Sequence, residues 1–272
     1  LQVAARMSIE AGDQEYYGYS IFHRFAYGFY SGRALNEQDE DFRRQQPVLL
    51  EYKEQVAGLM AVFGQAVSNL KGEVRHPAIL EGERFHSDRE LADITRNANS
   101  AGLFYFHSLQ AKLHYLFGDF AEAAAAGERA AAHEGGVVAS FGLARYALLD
   151  GLVCLARARE AGGLERRSLV RRARRQLRKL QRWGKFNQEN HTHAMLLLEA
   201  ELARTLDDPV AAMRLYDESI AHAREHRFAH DEATAYERAG EFYLHMGREK
   251  SARAYLTDAR IAYARWGARA KA

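Results

Sequence analysis

The sequence predicts an all-α protein, an irregular α-α superhelix (solenoid) of roughly 12 to 14 helices. Three observations lead there. Apolar residues recur at three- and four-residue spacing along the chain, while strand-like alternation is scarce. Only three prolines occur in 272 residues, and Pro47, Pro77 and Pro209 are all read as helix starts or loop positions that leave helix interiors unbroken. Finally, Tyr236, Gly240, Tyr243, Gly247, Ala252, Leu256 and Ala259 fall at steps of 4, 3, 4, 5, 4 and 3, and Leu196, Ala200, Ala203, Asp207, Ala212, Tyr216 and Ser219 repeat those steps 40 residues earlier.

This spacing is that of a tetratricopeptide-type helix–turn–helix unit. In the last unit, Tyr236 to Ala264, small residues at Gly240 and Ala252 let two antiparallel helices approach closely. Tyr243 and Leu256 fill the remaining space, and Gly247 ends the first helix in a left-handed conformation. In the preceding unit, Asp208-Pro209 supplies an N-cap followed by proline at the first helical position. A third copy runs through Ala111, His114, Gly118, Ala123, Gly127 and Ala130, and a weaker one through Phe25, Gly28 and Gly32. Between the copies, Gly135 to Gly163 and Leu164 to Trp183 read as one further pair with an elongated first helix. Ser87-Asp88-Arg89-Glu90 reads as a capping box. Residues 71–86, with two glycines and Pro77, read as an irregular loop within a single segment spanning 1–272.

Hydrophobic residues at 47% and charged residues at 27% are ordinary for a soluble globular protein. The single cysteine, Cys154, lies in an apolar stretch, which excludes an intrachain disulfide and points to a buried, inert thiol. The most apolar window, Phe141 to Ala158, carries Arg145, Asp150 and Arg157, which a membrane span would reject. With no signal peptide visible, the expected location is cytoplasmic. The chain begins at Leu1 inside a helix-like pattern, so it is read as a segment of a longer protein.

A net charge of +2 does not by itself imply nucleic acid, but its distribution is uneven. From Arg166 to Arg182, nine of seventeen residues are Lys or Arg, and Leu169, Ala173, Leu177 and Leu180 share the opposite face. Arg171, Arg174, Arg175 and Arg178 are therefore the candidate partner-binding face, set against the plainer reading of a solvated arginine-rich surface. Nucleic-acid binding would want interleaved aromatic platforms, and only Trp183 is near, so none is expected. Eight aromatics between Tyr16 and Tyr30, and the Phe104-Tyr105-Phe106-His107 cluster, read as core packing ahead of a ligand pocket.

His222, His226 and His230 stand at i, i+4 and i+8, and His222 to His226 matches the H-x-x-E-H order of inverted zinc peptidases. Such an enzyme needs a further acidic ligand well downstream, and the residues after His230 are taken up by the last repeat. His191 and His193 point to different helix faces. No phosphate-binding glycine loop, nucleophile elbow or kinase signature occurs. No catalytic residue, metal ligand or cofactor is assigned, and the segment is not expected to be an enzyme.

Several segments together resemble the TPR-like repeat region of large bacterial signalling ATPases. These are Ala11 to Tyr16, Leu103 to His107, Tyr115 to Phe120, Phe242 to Leu244 with Gly247, and most specifically Ala254 to Ala259 with Tyr263 to Lys271. That family joins a serine/threonine kinase-like domain, an AAA- or STAND-type ATPase, the repeat region, a GAF domain and a histidine kinase or other output. The resemblance implies a non-catalytic scaffold or sensor that binds a protein partner or flanking domains and couples that event to ATPase and kinase output. Its catalytic residues have no counterpart here, because they belong to flanking domains. The closing Trp266-Gly267-Ala268 stretch resembles the end of the family's repeats. The alternatives are an effector- or partner-binding repeat domain of a STAND-type transcription regulator and, less favoured, a metal-dependent enzyme using His222 and His226.

Overall fold

A computed structural model describes residues 2–52 and 54–272. Among the described residues there are thirteen α-helices: α1 (Gln2–Glu10), α2 (Gln14–Tyr30), α3 (Leu35–Tyr52), α4 (Glu54–Lys71), α5 (Ala92–Arg96), α6 (Ser100–Leu116), α7 (Phe120–Ala131), α8 (Phe141–Glu160), α9 (Gly163–Gly184), α10 (Gln188–Thr205), α11 (Pro209–Glu225), α12 (Ala229–His245) and α13 (Glu249–Trp266). Among the described residues no strand forms beyond an isolated bridge between Gly82 and Phe85. The fold is all-α, and among the described residues no helix is long and apolar enough to cross a membrane.

Helices pair as hairpins, α6 with α7, α8 with α9, α10 with α11 and α12 with α13. The first helices of successive pairs touch in order, and each second helix also meets the first helix of the next pair. The spacing rule explains the pairing. A Cβ on Gly240 would lie 2.7 Å from Cγ of Leu256, so only glycine lets α12 and α13 come this close. Asp208 accepts a hydrogen bond from Ala211 N at 3.1 Å, and Pro209 opens α11. The turns closing α10 and α11 are left-handed without glycine, at Asp207 (φ 61°) and Arg227 (φ 63°).

Three local expectations are corrected. Pro47 lies inside α3, so the Arg43 carbonyl loses its helical donor there. Burial of Phe42 and Leu49 on either side of the proline holds α3 in place despite that loss. Ser87 does not cap a helix: residues Ser87–Leu91 form a π-helical turn entered from His86 with no side-chain cap, and Ser87 N donates instead to Glu81 Oε2 at 2.6 Å. The pair at Gly135 begins later than expected, because Glu134–Val137 is a 3-10 turn and α8 starts at Phe141.

The segment after α4 is irregular, as its glycines and proline require, yet it is held firmly. Asn69 donates to the Pro77 carbonyl at 3.1 Å, and Gln110 both donates to the Ala78 carbonyl and accepts from Leu80 N, each at 2.8 Å. These side-chain amides replace the backbone partners that a helix would have supplied. Leu80 and Phe85 are buried beneath them.

The two ends of the stack meet. Trp266, 1% exposed, donates its indole N–H to the Arg33 carbonyl at 3.1 Å, and Ala270 N donates to the Leu70 carbonyl at 3.1 Å. Gly32 (φ 80°) abuts α12 so closely that a Cβ would lie 2.6 Å from His230 Nδ1 and 2.8 Å from Ala229 N. The helical pairs thus curve until the last one docks on α2, α3 and α4. Trp266→Ala should cost about 3–5 kcal/mol in urea denaturation, the range for truncating a large buried aromatic. A loss below about 1 kcal/mol would show that the seam does not hold the fold together.

Candidate functional site

Where the helices converge, charged groups are buried. Arg145 on α8 makes a bidentate pair with Asp231 on α12, Nη1 to Oδ2 at 2.6 Å and Nη2 to Oδ1 at 2.5 Å. His193 on α10 donates from Nε2 to Asp231 Oδ2 at 2.8 Å. Arg145 Nη2 also donates to His230 Nε2 at 3.0 Å, which places the His230 proton on Nδ1. His193 stacks on Phe228 with ring centroids 4.1 Å apart.

Burial alone would raise the Asp231 carboxyl, but Arg145 and the flanking histidines hold it well below the usual carboxylate range. Burial pushes His193 and His230 down, so both imidazoles are neutral at pH 7. The Arg145–Asp231 pair therefore balances its own charge.

Lys112 on α6 faces this cluster and also stands over two aromatic faces. Its Nζ is 4.9 Å from the Phe29 ring centroid and 5.7 Å from that of Trp266. Burial and the nearby Arg145 lower its ammonium to about 7, against the opposing pull of Asp231. Lys112, Arg145, His230 and Asp231 line a cavity of about 50 Å³, together with Tyr115 and a wall of leucines that includes Leu148 and Leu152.

A second buried anion, Glu201, lies deeper along α10. Burial opposes its ionisation, yet Arg159, Arg204 and Arg238 push it down to about 2. Arg159 Nη1 donates to its Oε2 at 2.6 Å, and the Tyr216 hydroxyl donates to Oε1.

The predicted arginine face is where the sequence placed it. Arg171, Arg174, Arg175 and Arg178 are all exposed on α9, while Ala173, Leu177 and Leu180 are buried behind them and Leu169 is half-buried. Neighbouring Arg172 turns inward instead, to Asp150 at 2.7 Å, and Lys179 lies 3.4 Å from Glu134. At the start of α9, Arg166, Arg167, Arg171 and Arg174 line an open groove of about 720 Å³ together with Leu164, Val170 and Leu206. Leu164 is 81% exposed and Leu206 47%.

The histidine trio does not assemble. Helix α11 ends at Glu225, so His230 departs into the central cluster. His222, Glu225 and His226 keep their ligand atoms within 4.8 Å of one another, with the two imidazoles stacked. Cys154 is buried, and burial pushes its thiol up to about 12. Of the aromatics on α2, Phe22, Phe25, Phe29 and Tyr30 are core, whereas Tyr19 and His23 line an open groove of about 1040 Å³ beside α4. Phe104, Tyr105 and Phe106 are buried, as expected of core packing.

Sequence reasoning finds no convergent polar pocket, and the Lys112, Arg145, His193 and Asp231 cluster escapes it. Neither a protein-family model, nor a curated protein, nor a solved structure matches this chain.

Removing one partner of the central pair leaves a buried charge unmatched, so Arg145→Met should destabilise the protein by roughly 3–5 kcal/mol. The Arg145→Met/Asp231→Leu double variant should recover much of that loss in urea denaturation; equal instability would deny the pairing its role. Acid should act through Glu201. Its carboxylate is more acidic folded than unfolded, so its contribution is complete above about 4.5 and disappears as pH falls toward about 2. Thermal melts of Glu201→Gln should be less stable at neutral pH and less pH-dependent in that window.

Proposed function

We propose that this chain is a non-catalytic docking scaffold that binds an acidic amphipathic helix, from a protein partner or from a neighbouring domain of a longer chain. The groove at the start of α9 carries this reading. It pairs exposed leucines with an arginine rim, of which Arg166 is held by the Thr205 carbonyl and Asp207, while Arg167, Arg171 and Arg174 make no ion pair among the described residues, unlike Arg172 and Lys179 beside them. Exposed apolar surface framed by one sign of charge suits a partner with apolar positions on one helical face and carboxylates flanking them.

The stacked hairpins and the sequence resemblance support placing this scaffold among the TPR-like regions of bacterial signalling ATPases. In that setting, docking would shift the curvature of the stack and couple to flanking ATPase and kinase domains. The same arginines would bind a nucleic-acid backbone only through charge, because no exposed aromatic platform interleaves with them.

The test is fluorescence anisotropy with a labelled helical peptide bearing leucines at i, i+3, i+4 and i+7 and glutamates between them. Binding in the micromolar range is expected, weakening with salt. The Arg171→Glu/Arg174→Glu variant, exposed at both positions and expected to fold, should bind at least ~tenfold more weakly. Equal affinity in the variant, or no binding below the millimolar range, would overturn the docking reading.

A further inference from the structure

The central cavity has more hydrogen-bond donors than acceptors. Tyr115 Oη and Arg145 Nε are buried without a partner, and both residues line it; His230 Nδ1 also lacks a partner but faces Gly32. Lys112 Nζ makes no hydrogen bond among the described residues and offers three more donors. The one carboxylate on the wall, Asp231, is already engaged by Arg145 and His193. The titratable groups lining the cavity repeat this balance: Tyr30 on α2, Tyr115 on α6 and Tyr146 on α8 are neutral, Arg145 on α8 is cationic and paired, His230 on α12 is neutral, and Asp231 is neutralised by Arg145. A protonated Lys112, half-buried over the Phe29 and Trp266 rings, therefore has no carboxylate bound to it.

Size narrows what completes it. A cavity of ~150 Å³ admits benzene, so about a third of that volume suits a ligand of only a few heavy atoms. The lining excludes a fully polar ion as the best match, because Leu109, Leu148, Leu149, Leu152 and Leu197 cover one side.

We infer that this cavity binds an acetate-sized monocarboxylate, with its oxygens accepting from Lys112, Tyr115 and the Arg145 guanidinium and its methyl group against the leucines. The lowered ammonium of Lys112 supports the assignment, since an anion beside it restores the charged form. Binding then draws a proton onto Lys112 when the solution pH exceeds about 7, where the empty site is partly neutral. The site is separate from the α9 groove, and neither reading depends on the other.

The experiment uses the whole chain in thermal melts and isothermal titration calorimetry. Sodium acetate, sodium chloride and sodium nitrate are compared at one fixed ionic strength. Acetate should raise the melting temperature saturably, with chloride and nitrate clearly weaker. Calorimetry in two buffers of different ionisation enthalpy should show proton uptake that grows from pH 6 to pH 8. Lys112→Met removes the cation while keeping its aliphatic stem on Phe29 and Trp266, and it should weaken acetate at least ~tenfold and abolish the proton uptake. Tyr115→Phe is the second variant, chosen to leave packing intact, and it should weaken acetate with proton uptake retained. An acetate response matched by chloride, or one unchanged in Lys112→Met and in Tyr115→Phe, would overturn the assignment.

Discussion

A carboxylate with no access to water must be matched by cations and donors, and Asp231 imposes that demand at the middle of this fold. Its partner Arg145 stands 86 residues away in sequence, and His193 stands 38 residues away, each on a different helical pair. Satisfying one carboxylate therefore requires α8, α10 and α12 to adopt a single relative register. Apolar packing tolerates small slips between helices, because one leucine contact resembles another. A bidentate arginine does not, since both N–H···O bonds are lost when the fork moves by a fraction of a turn. We regard the pair as a register device more than a source of net stability, in line with the cost of desolvating both charges.

Closure of the stack depends on the same neighbourhood. His230 accepts from Arg145 on one side, and its ring, with the backbone N of Ala229, lies against Gly32 on the other. Trp266 lies beside His230, with ring centroids 5.4 Å apart, and reaches the Arg33 carbonyl. One residue of α12 thus touches both the charge cluster and the seam. A helical-pair array open at both ends has stability that is nearly a sum of local terms. Joining the ends adds long-range contacts, so loosening of one pair is felt by the others.

The hairpin units were legible because close helix packing leaves a steric signature. Gly240 opposite Leu256 and the left-handed turn at Gly247 can be read from spacing alone. The exposed α9 arginines were legible for the related reason that periodicity assigns a face. The centre was hidden, since Lys112, Arg145, His193 and Asp231 come from four helices and no short motif joins them. A trace was present: Arg145 and Asp150 interrupt the most apolar window, at positions where the helix is buried on most sides. Charges there argue against a membrane span, but they equally announce partners inside the protein. His230 shows the opposite error, since its i+8 spacing from His222 has meaning only if one helix continues, and α11 stops at Glu225. Pro47 was misplaced because flanking burial outweighed a local rule.

Lys112 links the chemistry of the cavity to the geometry of the seam. Its ammonium lies over the faces of Phe29 and Trp266, which come from α2 and α13, while its head lines the cavity between α6, α8 and α12. The attraction to those rings exists only for the charged form. Neutral Lys112 keeps its apolar stem against them but loses the electrostatic part of the contact. Any anion that holds Lys112 charged must therefore also strengthen the contact between the two ends of the stack. By reciprocity, whatever tightens that contact must favour the anion. A small ligand could in this way bias the curvature of a much larger scaffold, with no need to reach the α9 groove itself.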